Sequence, residues 1–168
     1  MDNSYMEKLL KGIEVEWKNV DDLTLDKFWI MPATPKFDEN EKIPYITSKN
    51  IKGSNINFNK VKYISEIDYM NLSRNRPILE DDILISMIGT IGEVARVKKS
   101  DLIFYGQNMY LVRLNTKEIN IDFFLHFFDS PLMKKHFHSV KNNSGQGYLK
   151  SKDIEKLQIP IPCPDYPE

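Results

Sequence analysis

The chain has 168 residues, 41% apolar and 28% charged, proportions typical of one soluble globular domain with a single core. Its formal net charge of −1 excludes a uniformly basic protein, so any surface that binds a polyanion has to be local. The single cysteine, Cys163, excludes an internal disulfide. The sequence has no signal-peptide pattern and no apolar run of bilayer length, which favours a cytoplasmic protein with no membrane partner.

The first half of the chain predicts a lead-in, short strands and one helix. Alternation of apolar and polar residues predicts strands, and proline-rich, charged stretches predict loops. Ser65 followed by Asp68 resembles a capping box, which predicts a helix that Pro77 ends. The predicted elements are a lead-in at 1–13, strands at 15–20, 44–47 and 61–64, a loop at 31–42, a turn at 53–55 and a helix at 66–75.

The second half predicts closely spaced strands followed by helices. The helix at 121–129 is apolar on most sides and is expected to be buried, and Ser130 with Pro131 is typical of a helix start. Ser151 is expected to cap a further short helix. The predicted elements are strands near 82–88, 93–98, 102–105 and 109–114, helices at 121–129 and 131–141, a polar loop at 142–147 and an extended segment at 158–162.

This order of elements determines the expected fold class. Strands and helices are mixed rather than alternating strictly, which favours an α+β fold with a mixed, largely antiparallel sheet and a few packed helices. We expect one globular domain over residues 1–164. The prolines of residues 158–168 predict a stiff segment that leads away from it, as in a domain cut from a longer protein.

Residues 82–94 are the most informative stretch of the chain. An apolar run ends at Ser86, a loop with Gly89, Thr90 and Gly92 follows, and a second apolar run begins. This pattern predicts a strand, a tight loop and a strand, with two hydroxyl groups that can face a ligand. The stretch has no nucleophile or strong base, so it indicates binding rather than catalysis.

Motifs of catalysis are weak or missing in the sequence. There is no Asn/Asp-Pro-Pro-aromatic loop of a base methyltransferase, no strand-linked Gly-x-Gly cofactor loop and no Walker A motif. Glu16-Trp17-Lys18 matches part of a nuclease motif, but three letters match by chance. His136 and His138 are two residues apart on a predicted helix and point to different faces, so we predict no metal site. From these weak or missing motifs together we predict no catalytic residue.

Lysines are concentrated in two stretches without acidic residues. The stretch 48–64 has four lysines, and the stretch 130–152 has five lysines and two histidines. Such stretches are also common on solvated faces of proteins that bind no polyanion. If they bind phosphates, the candidates are Lys49, Lys52, Lys60, Lys62, Lys134, Lys135 and Lys141.

Three polar loops accompany the lysine stretches, at 48–55, 105–108 and 142–150. Asn and Gln amides suit bidentate contacts with adenine in a major groove, and glycine turns suit phosphate oxygens. Each loop alone has the composition of an ordinary turn. Together with the lysines they favour nucleic acid, and the candidates for contacts with base edges are Ser86, Thr90, Gln107, Asn108 and Gln146.

In their order and spacing, short pieces from Trp17 to Pro164 match a known pattern. The chain resembles one target-recognition domain of the specificity subunit of type I restriction-modification enzymes. Asp81 departs from that pattern, since the family usually has glycine before Asp-Ile-Leu. The pieces are Trp17, Pro44-Tyr45-Ile46 with Ile51, residues 82–86 with 89–92, Gln107-Asn108, the Gly145 loop with Leu149, Ile154 and residues 159–162.

The resemblance implies a non-catalytic DNA-binding component. Such subunits have two recognition domains joined by long helices, and each domain reads one half of a split double-stranded DNA site. The helices hold methyltransferase subunits and, through them, restriction subunits, and S-adenosylmethionine, ATP and Mg²⁺ belong to those partners. The chain itself is then expected to bind no cofactor and to be a half-subunit or an excised domain. Its proline-rich end would lead to a missing spacer helix, and a second recognition domain or a second copy would complete it, near the nucleoid of a bacterium or archaeon.

Two other functions stay open from the residues alone. One is a stand-alone DNA-modifying enzyme. The other is an interaction domain whose basic faces bind RNA or an acidic protein.

Overall fold

The computed structural model describes residues 12, 14–89, 91–144 and 148–162, and of residues 141–144 it describes the backbone alone. Within these residues the chain forms eleven β-strands, four α-helices and two 3-10 helices. The strands are β1 (Val15–Asn19), β2 (Thr24–Ile30), β3 (Ile43–Thr47), β4 (Ile51–Lys52), β5 (Asn55–Ile56), β6 (Lys62–Ile64), β7 (Ile83–Ser86), β8 (Val94–Arg96), β9 (Tyr105–Gln107), β10 (Met109–Leu114) and β11 (Gln158–Pro162). The helices are α1 (Glu66–Ser73), α2 (Ile121–Asp129), α3 (Pro131–Ser144) and α4 (Ser151–Glu155), and the 3-10 helices are Val20–Leu23 and Ser48–Asn50.

An antiparallel sheet of four strands, in the order β2-β10-β7-β8, forms the centre of the fold. Both of its faces are covered. Ile83 and Ile85 of β7 pack in one core, whereas Leu84 packs in the other, because side chains alternate along a strand. This burial on both faces explains why β7 is a continuous apolar run rather than an alternating one.

The helices cover one face of the central sheet. Phe124 and Phe128 of α2 stack with ring centroids 4.4 Å apart, and Phe137 of α3 packs beside them. Asn120 caps α2 by accepting from the backbone N–H groups of the first turn. The two-stranded sheet of β1 and β11 joins this core through Ile159. The segment predicted to lead away from the domain at 158–168 is therefore corrected for Gln158–Pro162, which pair within it.

A smaller sheet covers the other face. Its order is β6-β3-β9, and β3 pairs antiparallel with β6 but parallel with β9. Ile46 and Ile64 are completely buried between this sheet and the central one. The hairpin of β4 and β5 packs against the outer edge of β8 through a bridge between Ser54 and Ala95.

Ionic contacts fix the start of β7. The carboxylate of Asp82 is fully buried and accepts two hydrogen bonds from Arg113, from Nε at 2.8 Å and from Nη2 at 2.9 Å. It also accepts from the backbone N–H of Leu79 at 2.7 Å. Asp81, just before it, has a left-handed backbone with φ of +71° and pairs with Arg96.

The structure confirms the α+β class, since the pairings between its described strands are antiparallel except that of β3 and β9. The helices predicted at 66–75, 121–129 and 131–141 are present. Two of the three predicted caps are correct: Ser65 Oγ accepts from the N–H of Asp68, and Ser130 Oγ accepts from that of Met133. No helix within the described ranges is long and apolar enough to cross a membrane.

Four local predictions were wrong. The strand placed at 102–105 lies at Tyr105–Gln107, where it pairs in parallel with β3. Strand β2 was missed because it is half-exposed and lacks strict alternation. Helix α3 continues to Ser144, into the loop predicted from residue 142. The N-cap of α4 is Lys150, whose N–H donates to Asp153, rather than Ser151.

Candidate nucleic-acid interface

The turn with Gln107 and Asn108 lies at one end of the central sheet. It connects β9 to β10, and the first residue of β10, Met109, pairs with the last residues of β7 and β2. The N–H of Asn108 donates to the carbonyl of Ile30 at 2.8 Å. The second predicted polar loop is therefore held where β2 and β7 end and β10 begins.

The third predicted loop comes to the same end of the sheet. The N–H of Leu149 donates to the carbonyl of Met87 at 2.9 Å, and Tyr148 bridges Ile88. This pairing places residues 148–150 on the turn that follows β7. Gln146, the candidate reader in this loop, lies outside the described residues.

The first predicted loop also packs at this end. The N–H of Gly53 points to the carboxylate of Glu93 at 3.4 Å, directly before β8 begins. Because β8 runs antiparallel to β7, its start lies beside the end of β7. We name this end the loop edge and define it by residues 53–54, 86–89, 107–108 and 148–150.

The amide of Gln107 is oriented by its neighbours. Its oxygen accepts from the hydroxyl of Tyr45 at 3.3 Å and from that of Thr34 at 3.5 Å. Burial raises the pKa of Tyr45 to about 12, so this hydroxyl keeps its proton and donates. With its oxygen held by these two hydroxyls, the amide of Gln107 presents its NH₂ group, which can donate hydrogen bonds to a ligand. Thr34 carried no sequence signal, because it lies in an irregular loop without periodicity.

Ser86 has a different position from the one predicted. Its side chain is fully buried, and its hydroxyl accepts from the N–H of Glu93 at 3.1 Å. Its backbone N–H and carbonyl bond to Glu93 and Gly92 across the same turn. Ser86 therefore shapes the loop edge, and its assignment as a base-edge contact is corrected. Thr90, in the same turn, lies outside the described residues.

The four lysines of the first stretch are exposed, and two of them lie near the end of β3. Lys49 lies in the 3-10 helix that follows β3, and Lys62 pairs opposite Tyr45. The Lys62 ammonium lies 4.5 Å from the centre of the Phe37 ring, a cation–π contact that leaves it accessible. Since β3 and β9 are parallel, the end of β3 lies beside Gln107. Lys52 and Lys60 complete the set.

Three of the five lysines of the second stretch, Lys134, Lys135 and Lys141, lie on α3. Phe137 of this helix packs on Gly92, so α3 passes the turn between β7 and β8. Lys135 is exposed, whereas Lys134 pairs with Asp129 at 2.7 Å, and that hydrogen bond raises the pKa of Lys134. The charge of Lys134 is thus partly offset. The side chain of Lys141 lies outside the described part of the chain.

Acidic side chains gather at the opposite end of the central sheet. Asp26 pairs with the guanidinium of Arg113 near the last residues of β10, and Asp81 and Asp122 pair with Arg96. The six residues of β10 separate this end from the loop edge by about 17 Å. The exposed lysines therefore lie apart from these acids, although Glu93, Asp129 and Asp153 lie on the lysine side. Within the described residues no three His, Cys, Asp or Glu side chains form a metal site.

A family profile and a related protein match the sequence of this chain. The profile of a family described as "Type I restriction modification DNA specificity domain" matches residues 15–165. The chain is 28% identical over 174 residues to the type I restriction enzyme EcoprrI specificity subunit of Escherichia coli. That alignment covers 98% of this chain and 41% of the relative, so the chain spans about two fifths of the relative's length.

Solved structures show the same fold at low sequence identity. The type I restriction-modification S subunit from M. genitalium matches with a TM-score of 0.59 and 14% identity, over 90% of this chain and 35% of that one. The HsdS subunit from Thermoanaerobacter tengcongensis matches with a TM-score of 0.54 and 16% identity, over 88% of this chain and 33% of that one. Since the family profile also covers nearly the whole chain, the protein belongs to the type I restriction-modification DNA specificity domains and corresponds to one target-recognition domain of a specificity subunit.

Proposed function

We propose that this domain binds double-stranded DNA with its loop edge and reads a short half-site from the major groove. The observation that carries the proposal is the meeting of three separate polar loops at one end of the central sheet, beside exposed lysines. Amide groups there suit base edges, and lysines around them suit phosphates. Family membership supports the same assignment.

The oriented amide of Gln107 and the neighbouring Asn108 are the proposed readers among the described residues. Asn108 has a left-handed backbone with φ of +65°, which asparagine tolerates better than most residues, so the turn presents both amides in a fixed geometry. Thr90 and Gln146 stay predictions for the same role. The proposed phosphate contacts are Lys49, Lys52, Lys60, Lys62, Lys134, Lys135 and Lys141.

The proposal assigns catalysis to other chains. The domain, over residues 1–164, would direct methyltransferase subunits, and through them restriction subunits, to the site that it reads. S-adenosylmethionine, ATP and Mg²⁺ would bind to those partners. The residues after β11 would continue toward a spacer helix, and a second recognition domain or a second copy would read the other half-site in the cytoplasm.

A selection from a random duplex library tests the proposal. The chain is expected to enrich one short motif, and Gln107→Ala or Asn108→Ala should relax one position of it at a cost of about 1–3 kcal/mol in discrimination. Asn71→Ala is the matched control, because Asn71 is exposed on α1, which follows the end of β6 remote from the loop edge. If both amide variants keep the full preference, the second loop is not the reader.

Two further measurements separate the other functions. Duplex DNA should compete better than RNA of equal length at physiological salt, and the reverse order would favour an RNA-binding domain. Incubation of the pure chain with DNA, Mg²⁺ and S-adenosylmethionine should leave the DNA uncut and unmethylated. Turnover that purifies with the chain would favour a stand-alone enzyme.

A further inference from the structure

Two large apolar side chains are exposed in the middle of the polar loop edge. Ile88 is 37% exposed and Tyr148 is 43% exposed. They bridge each other in antiparallel pairing, and neither belongs to a core cluster of the described residues. Exposed apolar side chains that form a contiguous pair on a binding surface indicate contact with an apolar group.

The pair is held outward by its buried neighbours. Met87 and Leu149 are both completely buried, and the N–H of Leu149 donates to the carbonyl of Met87. Because side chains alternate along paired strands, Ile88 and Tyr148 then point to the opposite side, away from the core. This backbone pairing directs both side chains outward without a ligand, and such preorganisation lowers the entropic cost of a contact.

The major groove offers one apolar group to such a pair. Thymine presents a C5-methyl group at its edge, whereas the other bases present hydrogen-bond donors and acceptors there. We propose that Ile88 and Tyr148 contact the methyl group of a thymine and so determine one position of the half-site. This inference rests on the proposed function, since it requires duplex DNA at the loop edge.

Replacement of thymine by uracil tests the proposal without altering the protein. Uracil pairs as thymine does but lacks the methyl group. After a selection has identified the half-site, each thymine is replaced singly and binding of the chain is measured. At one position the affinity should fall about fourfold, the effect of one methyl group removed from an apolar contact. A half-site without thymine, or one in which no replacement weakens binding, would overturn the proposal.

Variants then assign the methyl contact to the pair. Ile88→Ala and Tyr148→Ala should each reduce the thymine preference, whereas Ile88→Val and Tyr148→Phe should keep most of it. The matched control is Leu102→Ala, because Leu102 is 57% exposed in the loop between β8 and β9, at the opposite end of the sheet. The double variant Ile88→Ala with Tyr148→Ala decides the assignment. If it folds and its affinity still falls fourfold when the thymine is replaced by uracil, another residue contacts the methyl group and the assignment is wrong.

The same measurements distinguish this failure from failure of the proposed function. A chain that binds no duplex within the range of about 1–100 μM typical of non-specific binding would contradict both proposals. A chain that binds a defined half-site with no response to uracil would contradict only the role of Ile88 and Tyr148.

Discussion

Asp81 adopts a backbone conformation that glycine would adopt with less strain. Its φ is +71°, in the left-handed region that costs most L-residues about 1–2 kcal/mol. The resemblance indicated glycine at this position, and the turn has the backbone that glycine favours although the residue differs. The carboxylate offers one compensation, since Arg96 Nε donates to it at 2.8 Å.

Asp81→Gly and Asp81→Ala separate these two effects. Both changes remove the ion pair with Arg96, but only glycine relieves the left-handed strain. We therefore expect the glycine variant to be more stable than the alanine variant by about 1 kcal/mol. Urea unfolding of both variants checks this, and equal midpoints would show that the turn is not strained.

Removal of Arg113 should be far more damaging than removal of an exposed charge. Asp82 is fully buried, and Arg113→Met would leave its carboxylate with the Leu79 N–H alone among the bonds described above. Loss of one partner from a buried pair costs about 3–5 kcal/mol. Urea unfolding measures the loss. The double variant Asp82→Asn with Arg113→Met is expected to recover part of the stability, and no recovery would contradict the ionic explanation.

Among the elements, the turn between β7 and β8 depends on its contact with α3. An added Cβ at Gly92 would lie 2.5 Å from Cδ2 of Phe137, and φ there is +78°. Gly89, in the same turn, has a φ of +81° but open space around it. The two glycines therefore share the backbone requirement and differ only in packing.

Gly92→Ala should cost more stability than Gly89→Ala for this reason. Backbone strain of about 1 kcal/mol applies to both, and overpacking against Phe137 adds about 1–3 kcal/mol to the first alone. Thermal unfolding of the two variants measures the difference. If both lose the same stability, α3 yields to the added methyl group and does not fix the turn.

Helix α3 also gives the fold a dependence on pH. Burial lowers the pKa of His136, although Asp153 opposes this. The unfolded chain therefore binds a proton at His136 more readily than the folded chain does. The contribution of neutral His136 to stability is fully present above its ordinary pKa of about 6.5, and it is lost as the pH falls through the lower pKa of the folded state. We expect His136→Gln to reduce the loss of stability between about pH 7.5 and pH 5.5. If the stability of the variant depends on pH as that of the unaltered chain does, His136 does not cause the loss.

Across the whole molecule, charge is divided along the central sheet. Exposed lysines lie around the loop edge, and paired acids lie where β10 ends. The net charge of −1 is a sum over the whole chain and does not report this division. A DNA duplex responds to the local field within a Debye length of about 8 Å rather than to the sum.

Loss of two exposed lysines beside the loop edge should therefore flatten the salt dependence of DNA binding. Lys49→Gln with Lys52→Gln is expected to reduce the slope of log affinity against log salt by about 2, and to weaken binding to all sequences equally. Lys99→Gln with Lys117→Gln is the matched control, since both lysines are exposed at the other end of the sheet. Equal slopes for the two double variants would place the phosphates elsewhere.

Sequence reasoning was most accurate where the signal is local. Periodicity and cap patterns predicted the four described helices, and the apolar run before Gly89 predicted β7, because these features depend on neighbours in the chain. It was wrong about Ser86, since a hydroxyl at the end of a strand has the same pattern whether it faces solvent or bonds across a turn. It also missed Ile88 and Tyr148 as a pair, because they are 60 residues apart in sequence and meet only through backbone pairing.

The sequence by itself determined the fold class, the family resemblance and the polar loops that are candidates for binding. Composition and spacing are properties of the chain, and they follow from local chemistry. Tertiary structure alone decided that three loops far apart in sequence meet at one end of a sheet, which side chains there face outward, and where the acids lie. Strand register makes that decision, because shifting a strand by one residue moves each of its side chains to the other face.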